Sequence, residues 1–215
     1  MPRLITGLDA GQIARNLERV RETIADAGRD PATVQILAAV KYVGIDELAT
    51  LHDAGLTLLG ENRAQELEEK ATAHPDFTWH FIGQLQSRKV RQIVPYATLI
   101  HSVASESALK QLATHATPET RILLEVNVAG EAGKAGIAPD ELPRYLEQSP
   151  VEVLGLMTMP PFTDRPEDSR RHFAALKALA DAHGLKELSM GTSQDFAIAA
   201  AEGATIVRIG TTLYT

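Results

Sequence analysis

The chain contains no cysteine, which excludes disulfides, thiolate metal sites and a cysteine nucleophile. Any nucleophile must be lysine, serine, threonine, histidine or a carboxylate. Basic residues form no run longer than Arg170-Arg171, and the formal net charge is -7, so an electrostatic footprint for nucleic acid or for an anionic membrane is missing. No window reaches the length of a membrane span, and residues 1–7 show no apolar core followed by a small-residue cleavage site. A soluble, cytoplasmic protein is the expectation. Linker-like and low-complexity tracts are also absent, and 215 residues with 44% apolar content fit one domain covering the whole chain.

What is present is a repeated unit. An amphipathic first segment carries Ile13, Leu17, Val20 and Ile24 at helical spacing and stops at Gly28. Short apolar runs then alternate with helical patterns, and strands are predicted at 34–40, 56–60, 78–82, 98–102, 121–126, 151–157, 187–190 and 205–209. The clearest helix pattern starts at Pro166 and places Phe173, Leu176 and Leu179 on one face before Gly184. Strands joined through helices run parallel. Eight such units predict an α/β fold, a (β/α)8 TIM barrel with an extra N-terminal helix, although the chain is shorter than the roughly 250 residues typical of that fold.

A barrel places chemistry at the C-terminal ends of its strands. The residues there are Lys41, Glu61, Asn62, Gly83, His101, Ser102, Asn127, Met157, Gly191 to Ser193 and Arg208 to Thr211. Lys41 ends the run Ile36-Leu-Ala-Ala-Val40. Its ammonium there must be desolvated or partnered, and desolvation favours the neutral amine that attacks carbonyls to form a Schiff base. Solvation past the strand end is the plain alternative.

Two late segments read as anion binders. In Met190-Gly-Thr-Ser193 a strand stops at glycine and a hydroxyl residue opens a helix, and Arg208-Ile-Gly-Thr-Thr212 adds a second glycine with two hydroxyls. Phosphate sites in barrels often follow strands seven and eight. An ordinary N-cap at Ser193 is as good a reading of that segment alone. Arg208 should point into the barrel mouth, where a phosphate, a carboxylate such as Glu61, an aromatic nitrogen or a plain ion pair would satisfy it. His80 and His101 lack a second ligand at metal spacing, so no metal is predicted. Met157 and Met159 read first as adaptable filler. The loop from Gly130 to Gly136 lacks the Lys-Ser/Thr that closes a P-loop.

Together, Ala39-Val-Lys-Tyr42, Gly60-Glu-Asn-Arg63, Trp79-His-Phe-Ile-Gly83, His101-Ser-Val103, Val126-Asn-Val128, Met190-Gly-Thr-Ser193 and Val207-Arg-Ile-Gly-Thr211 resemble the pyridoxal 5'-phosphate homeostasis proteins. Those are single-domain barrels similar to the N-terminal domain of alanine racemase, and the resemblance runs from about Gln35 onward. It implies that Lys41 holds pyridoxal 5'-phosphate as a Schiff base, that Ser193, Gly210 and Thr211 bind its phosphate, and that Arg208 faces the pyridine nitrogen. It further implies that Asn62, His80 and Met157 line the ring pocket. Thr192 and Ala104 depart from the expected methionine and acidic residue, and the chain stops at Thr215, short of the few residues that commonly follow.

Racemisation needs a base on each face of the substrate, and no second base is evident beside Lys41. A guanidinium opposite the ring nitrogen cannot protonate it. The expectation is therefore a monomeric, non-catalytic carrier acting in intracellular vitamin B6 balance, with no catalytic residues and with cofactor-requiring apo-enzymes as partners. A weak amino-acid racemase is the alternative, and a cofactor-free Schiff-base aldolase is a third reading.

Overall fold

The computed structural model describes residues 4–215. Helix α1 (Ala10–Asp26) opens on Asp9, whose carboxylate accepts from the Gln12 backbone N–H at 2.6 Å, and buries Ile13, Leu17, Val20 and Ile24 as their spacing predicts. The chain then alternates through β1 (Gln35–Ala39), α2 (Leu48–Asp53), β2 (Leu58–Glu61), α3 (Ala64–Ala73), β3 (Thr78–Phe81), α4 (Val90–Ile93) and β4 (Leu99–Val103). It continues through α5 (Glu106–His115), β5 (Arg121–Glu125), α6 (Leu142–Gln148), β6 (Glu152–Met157), α7 (Arg170–Ala182), β7 (Glu187–Thr192), α8 (Phe196–Ala201), β8 (Ile206–Ile209) and α9 (Thr211–Tyr214). The eight strands pair in sequence order, all parallel, and β8 returns to β1 to close the barrel.

The predicted (β/α)8 barrel with an extra N-terminal helix is therefore what the chain forms. Because both faces of a parallel strand are covered, the strands read as near-continuous apolar runs. Their outer faces join the helices in the main core. Their inner faces form a separate cluster of Leu37, Leu99, Leu123, Met157 and Ile206, with Leu58, Ile82 and Leu154 packed against it. The bounds differ from expectation where backbone pairing ends early. β1 stops at Ala39, so Lys41 lies in the following turn, and β2 starts at Leu58 and runs to Glu61.

α1 also fastens the other end of the chain. Asn16, buried on α1, donates from Nδ2 to the carbonyls of Leu213 at 3.1 Å and Thr215 at 3.0 Å. Among the described residues no helix is long and apolar enough to cross a membrane.

Candidate functional site at the C-terminal mouth

The end of β1 is clamped from behind. The Lys70 ammonium, on α3, donates to the Val40 carbonyl at 2.8 Å and to Glu61 Oε2 at 2.7 Å, and both side chains are buried. The second oxygen of Glu61 accepts from the backbone N–H groups of Asn62 at 2.6 Å and Arg63 at 3.2 Å. One buried ion pair thus holds the residue before Lys41 together with the backbone N–H groups of Asn62 and Arg63. Glu61, considered above as a partner for Arg208, belongs instead to Lys70. The close approach of the next strand end requires Gly83, since a Cβ there would overlap the Asn62 carbonyl.

Lys41 itself is exposed, and its ammonium lies 4.7 Å from the centroid of the Tyr42 ring. Of the two expectations, desolvation or a partner, the ammonium meets the second, because Lys41 lies in the exposed turn beyond β1. A cation–π contact partners the amine at a site open to a ligand. Below it, the Tyr214 hydroxyl donates to the Ala39 carbonyl at 3.2 Å, and burial followed by the nearby Glu61 charge holds that phenol above its ordinary range. Asn62 carries a buried Oδ1 with no hydrogen-bond partner, an acceptor whose desolvation costs about 1–3 kcal/mol until a donor is supplied.

The ends of β7 and β8 meet as predicted. Ser193 Oγ accepts from the Gly210 N–H at 3.1 Å, which brings Ser193, Gly210 and Thr211 together. Thr211 and Thr212 open α9, so their N–H groups have no intrahelical acceptor. Gly191 has φ of +89°, and a side chain there would strike Ala199, so glycine is required where β7 turns into α8. Asp195, a possible source of repulsion for an anion, is turned back onto Thr192, accepting from its N–H at 2.8 Å and its hydroxyl at 3.2 Å. Ala39 of β1 lies beside Gly210, 3.9 Å from where a Cβ would sit. Lys41 is therefore two residues beyond a direct neighbour of the anion cradle.

Arg208 is buried in the barrel interior. Nη1 donates to the Ser189 carbonyl at 2.8 Å and to Ser189 Oγ, while Nη2 reaches the Thr158 carbonyl at 3.0 Å and Met159 Sδ at 2.9 Å. A guanidinium has five N–H donors. Four are engaged by neutral acceptors, and Nε–H has no partner among the described residues. Burial lowers this guanidinium to about 10, against the opposing pull of Glu125 and Asp195, so it stays charged at neutral pH. Glu125, buried at the end of β5, is pushed up by burial and held back in part by Arg208. Neither Glu125 nor Met159 was singled out as an Arg208 neighbour; inward parity after Leu123 is the signal for Glu125.

Behind Arg208 the polar chain continues inward. Ser189 Oγ lies 2.8 Å from His101 Nδ1, and His101 Nε2 lies 3.0 Å from His80 Nδ1. Burial depresses both imidazoles, His80 to about 4 and His101 well below its ordinary value, where His80 and Arg208 add to the effect. His80 is therefore separated from Arg208 by Ser189 and His101 and borders the opposite end of the barrel. The resemblance put it in a ring pocket at the mouth; in this structure the His80 side chain lines a cavity at the N-terminal ends of β1, β2 and β3. Met157 packs in the inner apolar cluster, and it is Met159 whose sulfur touches Arg208. Asn127 folds onto its own loop, exchanging hydrogen bonds with the Glu131 backbone.

Residues 8–215 match the family described as alanine racemase, N-terminal domain. A pyridoxal phosphate homeostasis protein of Pseudomonas aeruginosa is 41% identical, over 95% of this chain and 94% of its own length. Another from Aquifex aeolicus is 39% identical, over 94% and 96%. The chain belongs to the pyridoxal phosphate homeostasis protein family. The solved structure of PipY from Synechococcus elongatus with PLP bound superimposes with a TM-score of 0.78 at 32% identity, covering 94% of this chain and all of PipY. Of the residues that the resemblance named, Lys41, Asn62, Ser193, Gly210 and Thr211 fall at the C-terminal mouth, Arg208 lies buried in the barrel interior, Met157 packs in the inner apolar cluster and His80 lines the N-terminal cavity.

Proposed function

We propose that this protein binds pyridoxal 5'-phosphate at the mouth, covalently through Lys41, and serves cofactor balance as a carrier without robust catalysis of its own. The observation that carries the reading is Arg208: a buried, charged guanidinium with four donors tied to neutral groups and one N–H left over suits a neutral aromatic nitrogen as acceptor. Pyridoxal phosphate would supply that nitrogen, together with an aldehyde for an amine and a ring able to withdraw electron density. The chain's residues fit the group. Lys41 offers an accessible amine, Ser193, Gly210 and Thr211 offer hydroxyl and N–H donors to the phosphate, and the orphan Asn62 acceptor borders the ring.

Arg208 also supports the carrier over the weak racemase. As a donor that remains charged, it holds the ring nitrogen unprotonated and leaves the ring a poor electron sink. We place the protein in the cytoplasm as a monomer, a single domain that hands cofactor to apo-enzymes requiring it. After unbound pyridoxal phosphate is removed, the wild type should carry an aldimine absorption band that borohydride discharges into a covalent adduct, and Lys41→Ala should give no reducible adduct even where cofactor is retained noncovalently; a wild type without the band refutes the reading. Solvent deuterium should enter the α-position of L-alanine at a negligible rate. Exchange at roughly 1 to 1000 per second, the range of ordinary enzymes, would make the protein a racemase.

A further inference from the structure

The opposite end of the barrel holds a cavity. It measures about 650 Å³ and lies beneath α1 against the N-terminal ends of β1, β2 and β3, so it shares no lining residue with the mouth described above. Leu17 and Leu58 give it apolar walls, and Arg21, Gln35, Thr57, Thr78 and His80 give it polar ones. No aspartate or glutamate lines it. The side chains of Gln35, Thr57 and Thr78 make no hydrogen bond to another described residue. Arg21 has only a loose, exposed pair with Glu18 at 3.3 Å.

The hydrogen-bond chain from Arg208 decides what His80 presents there. Arginine has donors only, so Ser189 Oγ must accept from it. Among the described residues His101 Nδ1 is the one acceptor within reach of the serine proton, so the arrangement that leaves no buried proton unpartnered has His101 Nε2–H donating to His80 Nδ1. His80 is consequently the tautomer with its proton on Nε2. That N–H has no protein acceptor among the described residues, although His80 is only 6% exposed. An unpartnered donor facing a cavity of mixed apolar and neutral polar walls, with a guanidinium at the rim and no carboxylate in the lining, suits an anionic acceptor on a small apolar body.

We propose that this N-terminal cavity is a binding site for a small organic carboxylate, seated with its oxygens on His80 Nε2–H and the Arg21 guanidinium and its hydrocarbon body against Leu17 and Leu58. The site stands independently of the cofactor reading, since none of its contacts is at the mouth.

The test is a titration of the protein, labelled with ¹⁵N-histidine, with 3-methylbutanoate at fixed pH, following the His80 ring nitrogens by NMR. Neutral 3-methylbutanol is the matched control. A saturable shift of His80 Nε2 with the acid and none with the alcohol is expected. Arg21→Ala, on an exposed helical position, should weaken the affinity by at least about fivefold, as the loss of a charge-assisted contact does. Thr57→Trp, at the exposed rim, should abolish the response by blocking the cavity. No saturable shift, an equal response to the alcohol, unchanged affinity in Arg21→Ala, or a response that persists in Thr57→Trp would each overturn the proposal.

Discussion

The two ends of the barrel carry different kinds of polar group. At the C-terminal mouth the polar atoms sit on turns and at a helix start, so Lys41 and Thr211 are open and Ser193 and Gly210 half-buried. At the inner levels the polar groups sit on strands, so His80, His101, Ser189 and Arg208 are buried and must satisfy one another. The mouth can exchange partners with a ligand at little structural cost. The inner chain cannot, because removing one member strands its neighbour in a low-dielectric interior. Lys70 and Glu61 bring the second kind of group up to the mouth, and they hold the turn on which Lys41 stands.

The contrast predicts effects of graded size. Lys70→Met leaves Glu61 as an unpaired buried charge and should destabilise the fold by about 3–5 kcal/mol. Urea unfolding measures it. The double variant Lys70→Met, Glu61→Gln should recover part of that loss. Equal stability of wild type and Lys70→Met would show that the clamp is dispensable.

The next effect concerns pH. His80 is depressed from 6.5 to about 4 in the fold, so below 6.5 the unfolded chain takes up the proton that the folded one refuses. The stability tied to a neutral His80 is complete above pH 6.5 and is lost as pH falls toward 4, a span worth about 3 kcal/mol at 1.36 kcal/mol per unit. His101 acts in the same direction. His80→Gln should flatten the acid limb of the stability curve between those pH values, and an unchanged limb would contradict the buried, neutral assignment.

Smaller effects are expected at the mouth. Ser193→Ala and Thr211→Ala should each weaken pyridoxal phosphate binding by about 0.5–3 kcal/mol, the range for one neutral to charge-assisted hydrogen bond, with little change in unfolding. Pyridoxal without phosphate should bind far less well than the phosphate form. Equal affinity for the two would reduce the Ser193–Gly210 junction to a cap and a turn.

The same division explains what could be read from the sequence. All eight strands were legible because parallel strands covered on both faces leave apolar runs between helical patterns, and the β7 and β8 ends were legible because Gly191, Ser193 and Gly210 are local turn chemistry. Lys70 was not, since Glu66 four residues before it reads as an ordinary solvated helix pair, while its partner Glu61 lies on another element. The run Trp79-His80-Phe81 shows no polar alternation, so it could not say at which level of the barrel His80 points. The exposure of Lys41 depended on β1 ending at Ala39, a matter of two residues that apolar periodicity does not resolve.

The central claim is that Lys41, of all the amines in the chain, holds the cofactor. Incubating the protein with pyridoxal phosphate, reducing with borohydride and mapping the modified peptide by mass spectrometry tests it directly. The account predicts one stoichiometric reduced adduct on Lys41; an adduct on Lys89 or Lys134 in its place would contradict it.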